Sequence, residues 1–108
     1  MPQPPEITLS DAREKLSTKG ALFLDIRDAQ AYGDGHIPGA RPLNNDNVGT
    51  LLAETSRDTA IVVYCYHGVS SRSATTFLLS QGFQSVHSMR QGFDGWRAAG
   101  HEIETRTY

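Results

Sequence analysis

The chain has 108 residues, 10 Lys+Arg against 12 Asp+Glu and a formal charge of -2 at pH 7, which is one domain's length. Hydrophobic residues make up 38% and glycine adds 10 residues, about 47% together and inside the usual range of soluble globular domains, so disordered and collagen-like chains are excluded. Nearly balanced charge argues against nucleic acid and membrane as partners, because phosphate backbones and anionic lipids need clustered surplus cations. The single cysteine, Cys65, rules out an internal disulfide and fits a reducing compartment, the cytoplasm. Met1 to Pro5 carries three prolines and no basic run, so no secretory signal is expected. The longest apolar run, Ala60 to Tyr66, falls far short of the roughly 18 residues of a spanning helix. A chain of this size is expected to bury roughly two-thirds of its unfolded surface around one core.

In chain order, short apolar runs alternate with amphipathic stretches, the pattern of an α/β domain with a largely parallel sheet. Glu6 to Leu9 reads as a first short strand. Ser10 is placed to cap a helix that Gly20 stops, with Asp11 and Glu14 near its positive end. Ala21 to Ile26 reads as a buried strand, and Asp28 to Gly35 as a short helical turn before a Pro and Gly turn at His36 to Ala40. Val48, Leu51 and Leu52 share one helical face. Ile61 to Tyr64 reads as a central strand covered on both faces. From Ser71 to Gln81, Ala74, Phe77 and Leu78 recur at helical spacing before Gly82. Val86 and its neighbours make the next strand. Gly92 opens a final short helix with Phe93 and Trp96, and Glu102 to Tyr108 gives no strong signal. The chain is thus one domain, 1–108, with short flexible ends at about 1–5 and 103–108.

Cys65 stands at the carboxyl end of the central strand, the edge where open α/β sheets bind ligands. After it come Tyr66, His67, Gly68, Val69, Ser70 and Ser71, then a helix. Gly68 permits a positive φ, so a loop this short can turn successive amides inward as an anion nest, reinforced by the helix start. Such donors favour a thiolate. The competing reading is a cysteine that merely packs at a strand end. Arg72 is either an anion-attracting cation or a solvated helix residue. His67 either serves as a base for Cys65 or lines the entrance. Scattered histidines and one cysteine do not make a metal site.

Leu24-Asp25-Ile26-Arg27 with Gly35-His36-Ile37-Pro38-Gly39-Ala40, the Cys65 to Ser71 loop, and Gln91-Gly92-Phe93-Asp94-Gly95-Trp96 stand in the order of three rhodanese signatures. Along nearly its whole length the chain resembles the rhodanese-like family of sulfurtransferases, and its loop is most similar to that of the small single-domain thiosulfate sulfurtransferases. The resemblance implies a mostly parallel five-stranded sheet flanked by helices on both faces. It implies transfer of sulfane sulfur from thiosulfate, as donor, through a persulfide on Cys65 to cyanide or a dithiol such as reduced thioredoxin, without cofactor or metal. Amides from Tyr66 to Ser71 (Tyr66, His67, Gly68, Val69, Ser70, Ser71) would then hold the anion, aided by the Ser70 and Ser71 hydroxyls and by Arg72. Many members carry a basic residue at the position of Ser70, so anion binding here falls on Arg72 and the backbone. Asp25, Arg27 and His36 are implied to support the site. Phe93 and Trp96 are core or lid residues, or else an aromatic surface for an acceptor protein. A cysteine phosphatase needs arginine six positions after its cysteine to pair with phosphate; that position is Ser71. Arsenate reduction is disfavoured for lack of a resolving cysteine. The alternatives to turnover with thiosulfate are a binding or regulatory module and a persulfide carrier to a biosynthetic enzyme.

Overall fold

The computed structural model describes residues 4–105. In chain order its elements are β1 (Glu6–Ile7), α1 (Leu9–Ser17), β2 (Leu22–Asp25), α2 (Ala29–Asp34), β3 (Arg41–Pro42), α3 (Val48–Glu54), β4 (Ala60–Tyr64), α4 (Ser70–Ser80), β5 (Ser85–Met89) and α5 (Gly92–Ala98). The five strands form one sheet in the order β1-β5-β4-β2-β3, and every pair is parallel. The expected α/β class with a five-stranded sheet holds. No helix among the described residues is long and apolar enough to cross a membrane.

The apolar β4 run sits at the sheet centre, where both of its faces are covered. One face packs Val62 and Tyr64 with Ile7, Ala12, Phe23, Ile37, Met89, Phe93 and Trp96, beneath α1 and α5. The other packs Ile61 and Val63 with Leu24, Leu51, Leu78 and Val86, beneath α3 and α4. Alternation along β4 and β5 sorts their residues between the two layers.

Four details depart from the sequence reading. Thr8 rather than Ser10 caps α1: Thr8 is extended and its hydroxyl oxygen accepts from the Asp11 amide at 3.1 Å. β3 was not foreseen. It is two residues at the sheet edge, where Pro42 costs no ladder bond. On α4 the buried stripe is Ser71, Thr75 and Leu78, leaving Phe77 exposed; two small polar residues occupy turns that an apolar pattern would fill, and Thr75 satisfies its hydroxyl on the Ser71 carbonyl at 2.8 Å. Within the segment read as a flexible end, Glu104 forms a bridge with His36, each amide bonding the other's carbonyl at 2.9 and 2.8 Å. Residues 1–3 and 106–108 of the two expected flexible ends lie outside the described residues.

Candidate active site

Parallel pairing brings the carboxyl ends of β2, β4 and β5 to one edge, with Asp25 beside Tyr64 and Val63 beside Ser88. Cys65 follows Tyr64 there and is buried. By strand alternation its side chain turns toward α4, the helix its loop runs into. Helix α4 has no side-chain cap. The sulfur takes that place: Cys65 Sγ accepts from the Ser71 amide at 3.3 Å and the Gly68 amide at 3.2 Å, and the Ser71 hydroxyl lies 3.4 Å away.

The amides face inward because the loop carbonyls are held outward. Cys65 O and Tyr66 O accept from the amides of Phe93 at 2.8 Å and Asp94 at 3.1 Å, at the start of α5, while Gly68 O accepts from Arg72 Nε at 3.1 Å. Two backbone positions make this possible. Gly68 adopts φ +86 with the Met89 and Arg90 backbone against it, and Gly92 adopts φ +59 so close beneath the loop that a Cβ would lie 2.6 Å from Cys65 O.

Burial is the largest influence on the Cys65 thiol and pushes its pKa up. The Ser71 hydroxyl and the amides of Ser71, His67 and Gly68 together outweigh it, so the thiol ionises below its ordinary value. The helix start adds its positive end to the same atom.

The remaining residues expected at the site divide between support and surface. Asp25 and Arg27 form a buried bidentate pair, with Arg27 Nη2 2.7 Å from Asp25 Oδ2 and also donating to Gly35 O at 2.6 Å. The Arg27 guanidinium lies 4.0 Å from the Phe93 ring centroid and 5.5 Å from that of Tyr66, so it ties β2 to α2, α5 and the loop. Tyr64, buried beside Asp25, has its hydroxyl pKa pushed well up, first by burial and then by that carboxylate. His36 is scaffold, 2.7 Å from Tyr32 O through Nδ1 and 3.1 Å from Glu104 through Nε2. His67 turns its ring to Asp94, 2.8 Å away, rather than to the sulfur. Tyr66 donates its hydroxyl to Asp28 at 3.0 Å. Val69 and Ser70 are exposed at the loop's rim. Arg72 is half-exposed and stands 3.6 Å from Glu6 as well as bonding Gly68 O, so the structure joins it to the loop backbone. Phe93 and Trp96 are core residues and offer no aromatic surface.

Sequence reasoning missed Ser88, whose hydroxyl is 2.6 Å from that of Ser71; in a strand that also carries Ser85 and His87, a further polar residue gives no signal of its own. It missed Glu6, which has no local signal. It read Gly92 as a helix opening and not as the floor of the loop.

A family model, the rhodanese-like domain, matches residues 8–99. The rhodanese-like domain of an Anabaena sp. protein is 28% identical, with a TM-score of 0.80 over 94% of this chain and 80% of that one. A rhodanese-like domain protein from Staphylococcus aureus is 23% identical, with a TM-score of 0.80 over 95% and 99%. A thiosulfate sulfurtransferase from Pseudomonas aeruginosa gives a TM-score of 0.83 at 23% identity; the match covers 96% of this chain and 20% of that protein. The last two attest the fold alone. The match across 8–99, over a sheet and loop of this construction, establishes that the chain belongs to the rhodanese-like domain family.

Proposed function

We infer that the protein is a sulfurtransferase moving sulfane sulfur from thiosulfate to a thiophilic acceptor through Cys65. The observation that carries this reading is a lone sulfur receiving two backbone amides, with a hydroxyl at hydrogen-bonding distance, at the start of α4. Fixed donors of this kind hold a thiolate without reorganising, and hydrogen bonds to charged groups are worth about 1.5–3 kcal/mol each.

In the first step the Cys65 thiolate attacks the outer sulfur of thiosulfate. A new S–S bond forms, the bond within thiosulfate breaks, and sulfite leaves with its electron pair. Cys65 then carries a persulfide anion with no net proton change. In the second step cyanide or one thiolate of a dithiol such as reduced thioredoxin attacks the terminal sulfur, and Cys65 departs as thiolate. With a single cysteine in the chain, discharge needs this outside acceptor. Amides of the Tyr66–Ser71 loop supply most of the anion's contacts, and Arg72 adds positive charge at its rim. A persistent free thiol supports a reducing compartment such as the cytoplasm.

Intact mass after incubation with thiosulfate tests the reading. Wild type gains one sulfur, reversed by cyanide, and Cys65→Ser gains none. A wild-type protein that stays unmodified overturns it.

A further inference from the structure

Ser88 lies inside β5, in register with Val63 of β4 and Glu6 of β1, and is fully buried. Its amide serves the edge of the sheet by donating to Pro5 O at 2.9 Å. Its side chain lies on the α4 side of the sheet, alternating with Met89, and among the described residues its hydroxyl meets one partner, Ser71 Oγ, at 2.6 Å. Ser71 Oγ is in turn 3.4 Å from Cys65 Sγ. A buried hydroxyl without a partner costs about 1–3 kcal/mol, so which way the protons run along this row of three atoms is consequential.

Two hydroxyls carry two protons. With the sulfur as thiolate, Ser88 donates to Ser71 and Ser71 donates to Cys65. Each proton has an acceptor, and the charged sulfur receives the last bond. With the sulfur protonated there is a third proton and no third acceptor in the row. If the thiol donates to Ser71, then Ser71 donates to Ser88, and the buried Ser88 hydroxyl keeps no acceptor for its own proton among the described residues. If the thiol proton turns away, Ser71 donates only to a neutral sulfur, a weak acceptor. In one protonation state only does the row end on a strong acceptor.

We propose that Ser88 is a positioning residue: its hydroxyl donates to Ser71 Oγ, keeps the Ser71 proton on the Cys65 side, and so holds the sulfur as thiolate. The inference rests on the reading of Cys65 as the nucleophile. Ser88 touches no reacting atom, and it acts through Ser71.

The test is the pH profile of Cys65 alkylation by iodoacetamide in the full chain. Ser88→Ala should raise the midpoint by about 0.5–1 pH unit, a roughly three- to tenfold loss of thiolate on the acid side. Ser71→Ala should raise it further, and the double variant should match Ser71→Ala alone, because Ser88 has no other route to the sulfur. Ser88→Thr and Ser88→Val, equal in shape and differing in the hydroxyl, separate donation from packing: threonine keeps the wild-type midpoint and valine shifts as alanine does. Coincident profiles for alanine, valine and wild type overturn the proposal, as does a Ser88→Ala shift that adds in full to that of Ser71→Ala. Mass gain from thiosulfate is read separately. Retained gain without a midpoint shift defeats only the role of Ser88, whereas a shift without sulfur uptake defeats only the sulfurtransferase reading.

Discussion

Gly92 lies directly beneath the Cys65 and Tyr66 carbonyls, closer than any residue with a Cβ can come. The amides of the two residues after it, Phe93 and Asp94, hold those carbonyls outward. The loop amides are free to face the sulfur for that reason, so a glycine 27 positions downstream determines the electrostatics of Cys65.

Gly92→Ala should therefore damage both fold and site. A left-handed φ costs a residue with a Cβ about 1–2 kcal/mol, and displacement of the loop adds to it. Urea denaturation should show a loss of about 2 kcal/mol or more, and iodoacetamide should alkylate Cys65 more slowly near neutral pH. Wild-type stability together with a wild-type alkylation rate would refute the role given to this glycine.

Replacing Arg27 by methionine leaves the wholly buried Asp25 carboxylate without its bidentate partner. Breaking a buried pair from one side costs about 3–5 kcal/mol, and a loss of that size is expected by chemical denaturation. A cost below about 1 kcal/mol would show that the pair does not hold β2 to the Gly35 turn.

Arg72→Ala removes the half-exposed cation at the loop's rim together with its bond to Gly68 O, while the Phe93 and Asp94 amides still hold the Cys65 and Tyr66 carbonyls. Exposed charges contribute about 0.2–1 kcal/mol, so KM for thiosulfate should rise about 1.4- to fivefold, with a smaller change in kcat. An unchanged KM would leave Arg72 with its bonds to Gly68 O and Glu6 as its whole role.

Glu104 is held below the usual glutamate range, first by the Gly39 amide and then by His36. A depressed carboxyl stabilises the fold above its unfolded pKa, and that contribution disappears as pH falls through the folded value. Glu104→Gln should cost about 0.5–1 kcal/mol at neutral pH, the scale of an exposed ion pair, and the gap to wild type should close in acid, below about pH 4.3. Thermal melts across that range decide it: a gap independent of pH would mean that the carboxylate's charge contributes nothing.

Much of this was legible in the residues. The unbroken apolar run of β4, the thiol at its end and the glycine in a short loop before a helix are local features, and local features survive in one dimension. Alternation of apolar strands with amphipathic segments likewise announced the α/β class. On α4 the periodicity found Leu78 and Ala74, which pack into the core, but misplaced Phe77, because Ser71 and Thr75 replace apolar residues on the buried stripe; at Ser71 the reason is the sulfur beside it. β3 escaped notice because a two-residue strand containing proline has no periodicity of its own.

By itself the sequence determined the fold class, the place of Cys65 and the kind of loop around it, since propensity, periodicity and turn chemistry act between neighbours in the chain. Only the tertiary structure decided what holds that loop and sets the sulfur's ionisation. Ser88 reaches Ser71 across 17 positions, and His67 turns to Asp94 and away from Cys65. Hydrogen bonds depend on where atoms meet in space, and these residues meet because parallel pairing brings separate strand ends to one edge.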